Sequence, residues 1–578
     1  MISTGLNQAQ FIDRLKKDTL QKGNFETNSK ISIGREHVDW NFGVVRNTVF
    51  KELVTIYSAE LNSGLAFFNC EFKKGIIFRA CSTDKFDTLY NPYNCSILFN
   101  KCKTEFLTFS EGCLFNRGVA IENESSIGTL SILDSIFTGN AFRISNSEIS
   151  KLLDVKGANL YSLNISKSRV NNCRIVSSKL DLAFIKSTFQ GSVKLWNVDT
   201  NKSLTFNQNV FEQEFGIKSS RIESIYIHGD TFQKKAKLEN RGDTGTNHES
   251  SLDNIYISEA NFIEGFEFDG MSKELKNLTL RLSPNFQGIL RIIGWKIFET
   301  SISGMNENLK VVFKRINFKR LQLIDFSNSG DITFERSGAE NTLFKTEEDP
   351  DSSIIAYDSS LGLTRFNEFD FNSFDFIDIS NVSFNGIEAS NVNWFDDSKI
   401  RITTPENEAA QGFRRRRELY RQIKHTLKSS GNQIDNLMFQ AREMQAYRNE
   451  LKASGNYNLG DKVIMAISRT NDYGLNWLKP LILLIGITIV CYGISLPLFT
   501  KELWYDFDLP FADFSLIKGV FVDNLSTLAN MFNPARRFSV TYGENVSTWL
   551  YFLDLLHRLF LGIFIFQIIK AFRRLAVK

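Results

Sequence analysis

The sequence predicts a mainly β chain: a β-solenoid, read as a right-handed β-helix, followed by a helical hairpin and two transmembrane helices. Three observations carry this. A small residue followed two positions on by a large apolar one recurs from about residue 40 to 400. The chain holds 52 Phe but only 8 Pro in 578 residues. Two long apolar stretches lie near its C-terminus. A core that accepts one large ring at regular intervals suits a stacked repeat better than a single globule, and the length exceeds what one compact core usually holds.

The small-x-large pairs include Cys70/Phe72, Cys113/Phe115, Ser135/Phe137, Ser147/Ile149, Ala158/Leu160, Ser168/Val170, Ser178/Leu180, Ser187/Phe189, Ser220/Ile222, Ala260/Phe262 and Val382/Phe384. Successive large positions step by about 10 or about 22 residues, and coils of ~20–22 residues would place roughly 16 in this region. The large residue fills the interior, and the small one stands where the backbone turns a corner. Alternation such as Ser203-Leu-Thr-Phe-Asn puts every second side chain inside. Helical repeats are excluded by the missing 3.6 periodicity. Two polar stretches, 241–251 and 345–353, interrupt the pattern and read as loops leaving the wall.

Residues 7–22 read as a short amphipathic helix, with Phe11, Ile12, Leu15 and Leu20 on one face, suited to capping the open end of a solenoid. The expected organisation is therefore a cap helix and first strand (1–40), the solenoid (41–400), a basic helical linker (401–475) and a membrane module (476–578). In the linker, a helix through Arg414–Arg417, a terminator at Gly431-Asn432 and a returning helix over 433–454 form a hairpin, and 461–474 is a third helix.

Charge is unevenly spread. Of the chain's 68 Lys and Arg and 65 Asp and Glu, residues 401–578 hold 23 and 15, which leaves 45 and 50 for the acidic body. The basic tail is the part suited to an anionic surface. Arg414, Arg415, Arg416 and Arg417 are candidate lipid-headgroup contacts. The N-terminal stretch lacks the apolar core of a signal peptide, and the seven Cys show no C-x-x-C pair, so the body is expected in a reducing cytosol.

Residues 481–499 form an uncharged span flanked by Trp477 and Lys479 on one side and Trp504 and Tyr505 on the other. The second span, 549–569, contains Asp554, His557 and Arg558. Asp554 and Arg558 are four apart and can pair on one helical face. Two placements stay open: these groups face other helices or a water-filled cavity, or they sit among the headgroups with the span shifted toward 559–569. Lys and Arg flank the outer ends of both spans, which places both termini in the cytoplasm. Between the spans, 511–532 reads as one amphipathic helix with Phe514, Ile517, Phe521, Leu525 and Leu528 on its apolar side. The order span, helix, loop, span matches a simple two-span channel subunit, and the candidate pore-lining residues are Asp523, Thr527, Asn530, Asp554, His557 and Arg558. A helix lying flat on the outer surface is the alternative. Thr541-Tyr542-Gly543-Glu544 is not read as a potassium filter.

No phosphate-binding loop, dinucleotide fingerprint, zinc-protease helix or serine-nucleophile elbow is present, and the five His are far apart. No catalytic residue, cofactor site or metal site is expected. Glu368, Asp370, Asp375 and Asp378 are the carboxylates a wall-mounted hydrolase would use, but their alternation with Phe is that of an ordinary outward-facing strand.

The small-x-large repeat resembles degenerate pentapeptide repeats, whose consensus is Ala-(Asp/Asn)-Leu-x-x. The tail is similar to bacterial pentapeptide-repeat membrane proteins that end in a two-span, ion-channel-like module. The matching residues are Tyr420-x-x-x-Lys424, Gly431-Asn432, Phe439-x-x-x-Glu443-Met444-x-x-Tyr447, Asp472-Tyr473-Gly474 ahead of Trp477 and Pro480, and Phe566-Gln567-x-x-Lys570-Ala571-Phe572-Arg573. The resemblance implies a module in the bacterial inner membrane and, by analogy, a pore. No site residue carries over.

The leading expectation is an oligomeric membrane pore or ion channel gated through a cytosolic solenoid, a stress or defence effector in its setting. Several copies are required because two spans cannot enclose a pore alone. The alternative is a membrane-tethered solenoid scaffold whose spans only anchor. Expected partners are membrane lipid, further copies of the chain and an unidentified cytosolic ligand or protein, with nucleic acid disfavoured.

Overall fold

A computed structural model describes residues 4–576 apart from 18–24, 35–42, 62–63, 84–94, 241–249, 340–351, 402–408, 456–457, 501–513 and 544–545. The chain divides into two compact units, 1–401 and 402–578. The first is a β-solenoid of about 16 turns in which every paired strand is parallel to its neighbour. The expected loops at 241–251 and 345–353 fall almost wholly outside the described residues.

The corner chemistry explains the repeat. A residue in the left-handed region precedes each small residue: Asn146 (φ 47°), Lys167 (49°), Lys186 (51°) and Gln208 (57°). That conformation swings the chain through the corner and turns the next amide inward, off the ladder. A small polar side chain one coil further on accepts it. Ser147 N donates to Ser168 Oγ (3.2 Å), Ser168 N to Ser187 Oγ (3.1 Å), Ser187 N to Asn209 Oδ1 (2.9 Å) and Asn209 N to Asp230 Oδ1 (2.8 Å). Each Ser hydroxyl in turn donates to the carbonyl two residues back, as Ser168 Oγ does to Ser166 (2.7 Å). A large side chain would fill the space this relay needs.

Two such columns run along the stack, about half a coil apart, which is why the repeat steps by 10 as well as 22. One aligns Ile127, Ile149, Val170, Phe189, Phe211, Phe232 and Phe262; the other aligns Phe115, Phe137 and Leu160. Rings in register stack face to face: Phe189 on Phe211 at 5.0 Å, Phe211 on Phe232 at 4.7 Å, Phe313 on Phe334 at 4.8 Å. Stacking of this kind adds to the area each ring buries.

The solenoid begins before the cap helix rather than after it. Strand Thr4–Leu6 pairs with Phe25–Thr27, and α1 (Gln8–Lys16) is inserted between them. Asn7 and Gln10 close a capping box at its start. Phe11 lies edge-on to Phe50 (5.4 Å) and is buried with Ile12 and Leu15. The helix therefore covers the first rungs, while Leu20 lies outside the described residues.

The second unit is helical: α2 (Ala409–Ser429), α3 (Gln433–Ala453), α4 (Leu459–Arg469), α5 (Leu478–Phe499), α6 (Phe514–Asp523), α7 (Leu525–Met531), α8 (Phe538–Tyr542) and α9 (Thr548–Ala576). Gly431 (φ 78°) turns α2 back onto α3, and Asn432 caps α3 through Asp435 N. Buried Tyr420 and Phe439 meet at 5.9 Å, framed by Lys424–Glu443 (2.5 Å) and Arg417–Glu450 (3.1 Å). The expected third helix over 461–474 is shorter: α4 stops at Arg469, and a 3-10 turn at Asp472–Gly474 leads on to Trp477. Helices α5 and α9 are each long and apolar enough to cross a membrane.

The middle segment departs from expectation. One helix over 511–532 is instead two, broken at Asn524 (φ −100°, ψ 18°), whose side-chain amide donates to the Val520 carbonyl (2.9 Å). The local bond competes with helix continuation. The break rotates the second half, so Thr527 and Met531 are buried while Leu525 is exposed.

Phe211→Ala removes a ring stacked on both sides and should cost about 3–5 kcal/mol, read as a lowered urea midpoint. A second prediction concerns Asp230, where burial pushes the carboxyl up to about 7 against three N–H donors from Asn209 and His228 that favour its charge. A raised carboxyl pKa stabilises below the unfolded value and loses that contribution as pH rises to the folded one. Hydrogen-exchange protection in the flanking coils should fall between pH 4 and 7, and Asp230→Asn should flatten that fall.

Candidate functional site

The most concentrated buried chemistry lies in the second unit, between the two apolar helices. Asp554, nearly two turns into α9, is buried, and so are Arg536 and His557. A carboxylate in apolar surroundings needs a counter-charge and hydrogen-bond donors for both oxygens. Both are supplied. Arg536, from the segment between α7 and α8, donates through Nε (3.0 Å) and Nη2 to Asp554 Oδ1. Arg558, one turn further along α9, donates through Nε to Oδ2 (2.7 Å). The Tyr542 hydroxyl on α8 approaches Oδ1 at 3.4 Å.

Arg536 has donors left over, and they find acceptors. Nη1 donates to the Met531 carbonyl (2.6 Å), which terminates α7, and Nη2 reaches His557 Nδ1 at 3.0 Å. A guanidinium only donates, so Nδ1 accepts and the ring proton sits on Nε2. Nε2 then donates to Thr488 Oγ1 on α5 (3.1 Å), whose hydroxyl donates to the Leu484 carbonyl (2.7 Å). One chain of bonds thus links α5, α7, α8 and α9.

Packing surrounds this network. Cys491, Tyr492, Leu496, Val520, Met531, Tyr542 and Leu550 form one cluster, and Leu484, Leu561 and Phe564 another. The Tyr492 hydroxyl donates to the Phe521 carbonyl (2.8 Å), which holds α6 against α5. On their outer sides the same helices are apolar and bare: Ile482, Val490 and Ile494 on α5, and Trp549, Phe552, Leu555 and Phe566 on α9 are all exposed.

The six residues expected to face a conduit divide in two. Asp554 and His557 are buried and bonded within one chain, with Arg558 beside them, and Thr527 is buried with its hydroxyl 3.5 Å from the Thr541 carbonyl. Asp523 and Asn530 are exposed. Asp554 and His557 face the connection between α7 and α8 and helix α5. Sequence reasoning missed Arg536; the signal was an acid within an apolar stretch, Asp554, and a basic pair at 536–537 in the segment that precedes its helix. Among the arginines of the basic run, Arg414 and Arg415 are exposed, whereas Arg417 pairs with Glu450 and lies over the Tyr447 ring (5.0 Å).

The four wall carboxylates have structural partners. Glu368 pairs with Arg336 (2.9 Å), Asp370 caps a 3-10 turn through Ser373 N (3.0 Å), Asp375 accepts from Ser352 N (2.8 Å), and Asp378 accepts from the Tyr357 hydroxyl. Among the described residues no group of His, Cys, Asp and Glu is arranged to hold a metal ion. Comparison with known proteins finds no matching family, no matching curated protein and no matching solved structure.

Asp554→Ala would leave the Arg536 guanidinium buried without its counter-charge. The loss should be about 3–5 kcal/mol, read as a lower unfolding temperature of the detergent-solubilised protein. Replacing the pair together, with Arg536→Met and Asp554→Leu, should restore most of it.

Proposed function

We propose that the protein is a membrane-tethered β-solenoid, in which α5 and α9 anchor a binding scaffold to the bacterial plasma membrane. The observation that supports this best is the division of the two helices into a polar interior and an apolar exterior. Every described ionisable group of the network is answered within one chain, and the middle stretches of the two helices turn hydrocarbon and aromatic side chains outward, among them Ile482, Val490, Ile494, Phe552, Leu555 and Phe566. Asp554, His557 and Arg558 act here as a brace between helices. The solenoid supplies a long rigid wall of pentapeptide-repeat-like coils for a cytosolic partner, with both termini on the cytoplasmic side.

A second reading, an oligomeric pore, is favoured by exposed Asp523 and Asn530 on the segment between the two helices. In that reading several copies would bring these residues to a shared axis. The two readings separate in proteoliposomes. The tethered scaffold predicts ion flux no greater than in protein-free vesicles, with or without cell extract. Flux that Asp523→Ala abolishes would overturn it in favour of the pore.

A further inference from the structure

Helix α4 carries two apolar sides, and only one of them is used. Met465 is buried against Ala441 and Tyr473. At 100° per residue, Leu459, Val463, Ile464 and Ile467 lie on the side opposite Met465. Leu459 is 78% exposed, Ile464 58% and Val463 49%. Exposed Lys462 and Arg469 lie between this strip and the Met465 side, with Ala466 next to Leu459, and Asp461 lies toward the opposite edge. An apolar strip edged by cations is the pattern of a helix lying in a membrane interface.

Its position fits. Just past the end of α4, the Asn471 side-chain amide donates to the Gln567 carbonyl on α9 (3.2 Å), and the Trp477 ring packs on Phe572 at 5.3 Å. The end of α4, the start of α5 and the last turns of α9 therefore meet at one level. Exposed Lys570 and Arg573 belong to those last turns of α9, and Lys479 at the start of α5 is held to Asp472 (2.7 Å). The apolar strip continues in kind onto exposed Leu478 and Ile482 of α5.

We propose that α4 lies in the headgroup layer of an anionic leaflet, its Leu459–Val463–Ile464 strip immersed and its cationic edge, with Lys570 and Arg573, drawn to lipid phosphates. This rests on the reading of α5 and α9 as a membrane anchor. Lipid is the occupant that meets both halves of the surface, apolar and cationic, and it is continuous with what the flanks of α5 require.

The test is nitroxide accessibility in the full chain reconstituted in vesicles. All seven native cysteines are buried, so a label goes to an introduced one. Val463→Cys reports α4, Val490→Cys the middle of α5, and Tyr161→Cys the solenoid surface. The expected oxygen-to-nickel accessibility ratio at 463 lies between those at 161 and 490. It rises when phosphatidylglycerol is mixed into phosphatidylcholine, and Lys462→Gln with Arg469→Gln removes the rise. A value at 463 equal to that at 161, with 490 still deep, would overturn the proposal and leave the anchor standing. A label at 463 shielded from both reagents would overturn it in favour of a second copy. A depth indifferent to lipid charge would overturn the anionic preference. A water-accessible 490 would sink the anchor itself, and α4 with it.

Discussion

A parallel stack obliges each coil to find its hydrogen-bond partners in the next, and the amide that a corner turns inward is the one the ladder leaves over. Much of the solenoid follows from answering that amide. At many corners a small side chain with an oxygen answers it: Ser most often, and Asn209 and Asp230 further along the same column. It fixes the register, and the register aligns the large residues two positions on, so rings such as Phe189, Phe211 and Phe232 fall on one another. It also makes an open end costly, because an end coil has a ladder partner on one side only. Helix α1 covers that end with Phe11 against Phe50.

The same obligation governs the two apolar helices, in surroundings where an unpaired charge costs more. Asp554 is tolerable because Arg536 is brought to it, and Arg536 is tolerable because its remaining donors reach Met531 and His557. The consequence is architectural: the connection between α7 and α8 cannot drift, since it carries the counter-charge of α9. A charge network enclosed in one chain holds helices together, which is the role an anchor needs.

The solenoid was legible because its signal is a chemistry repeated many times; small-x-large at fixed steps states both the corner and the interior. The half-coil step of ten was visible in the spacing, but its cause, two corner columns per coil, needed the strand register. The two long helices were legible from composition alone. What escaped was single and non-repeating. Asn524 breaks the middle helix through one local bond to Val520, which no periodicity announces. Arg536 lies eighteen residues before Asp554, in a stretch with no regular pattern, so its partner could be inferred from need but not from spacing. The first strand was hidden because Thr4–Leu6 is only three residues long and precedes a helix.

Together these features describe a parallel-coil repeat followed by a helical module with apolar flanks, in which a buried polar cluster links α5, α7, α8 and α9. The claim on which the functional reading turns is that α5 and α9 are held in a bilayer. Alkaline carbonate extraction of membranes from cells making the full chain tests it most directly. The account predicts that the protein stays in the membrane pellet; its release into the supernatant as a soluble protein would contradict it.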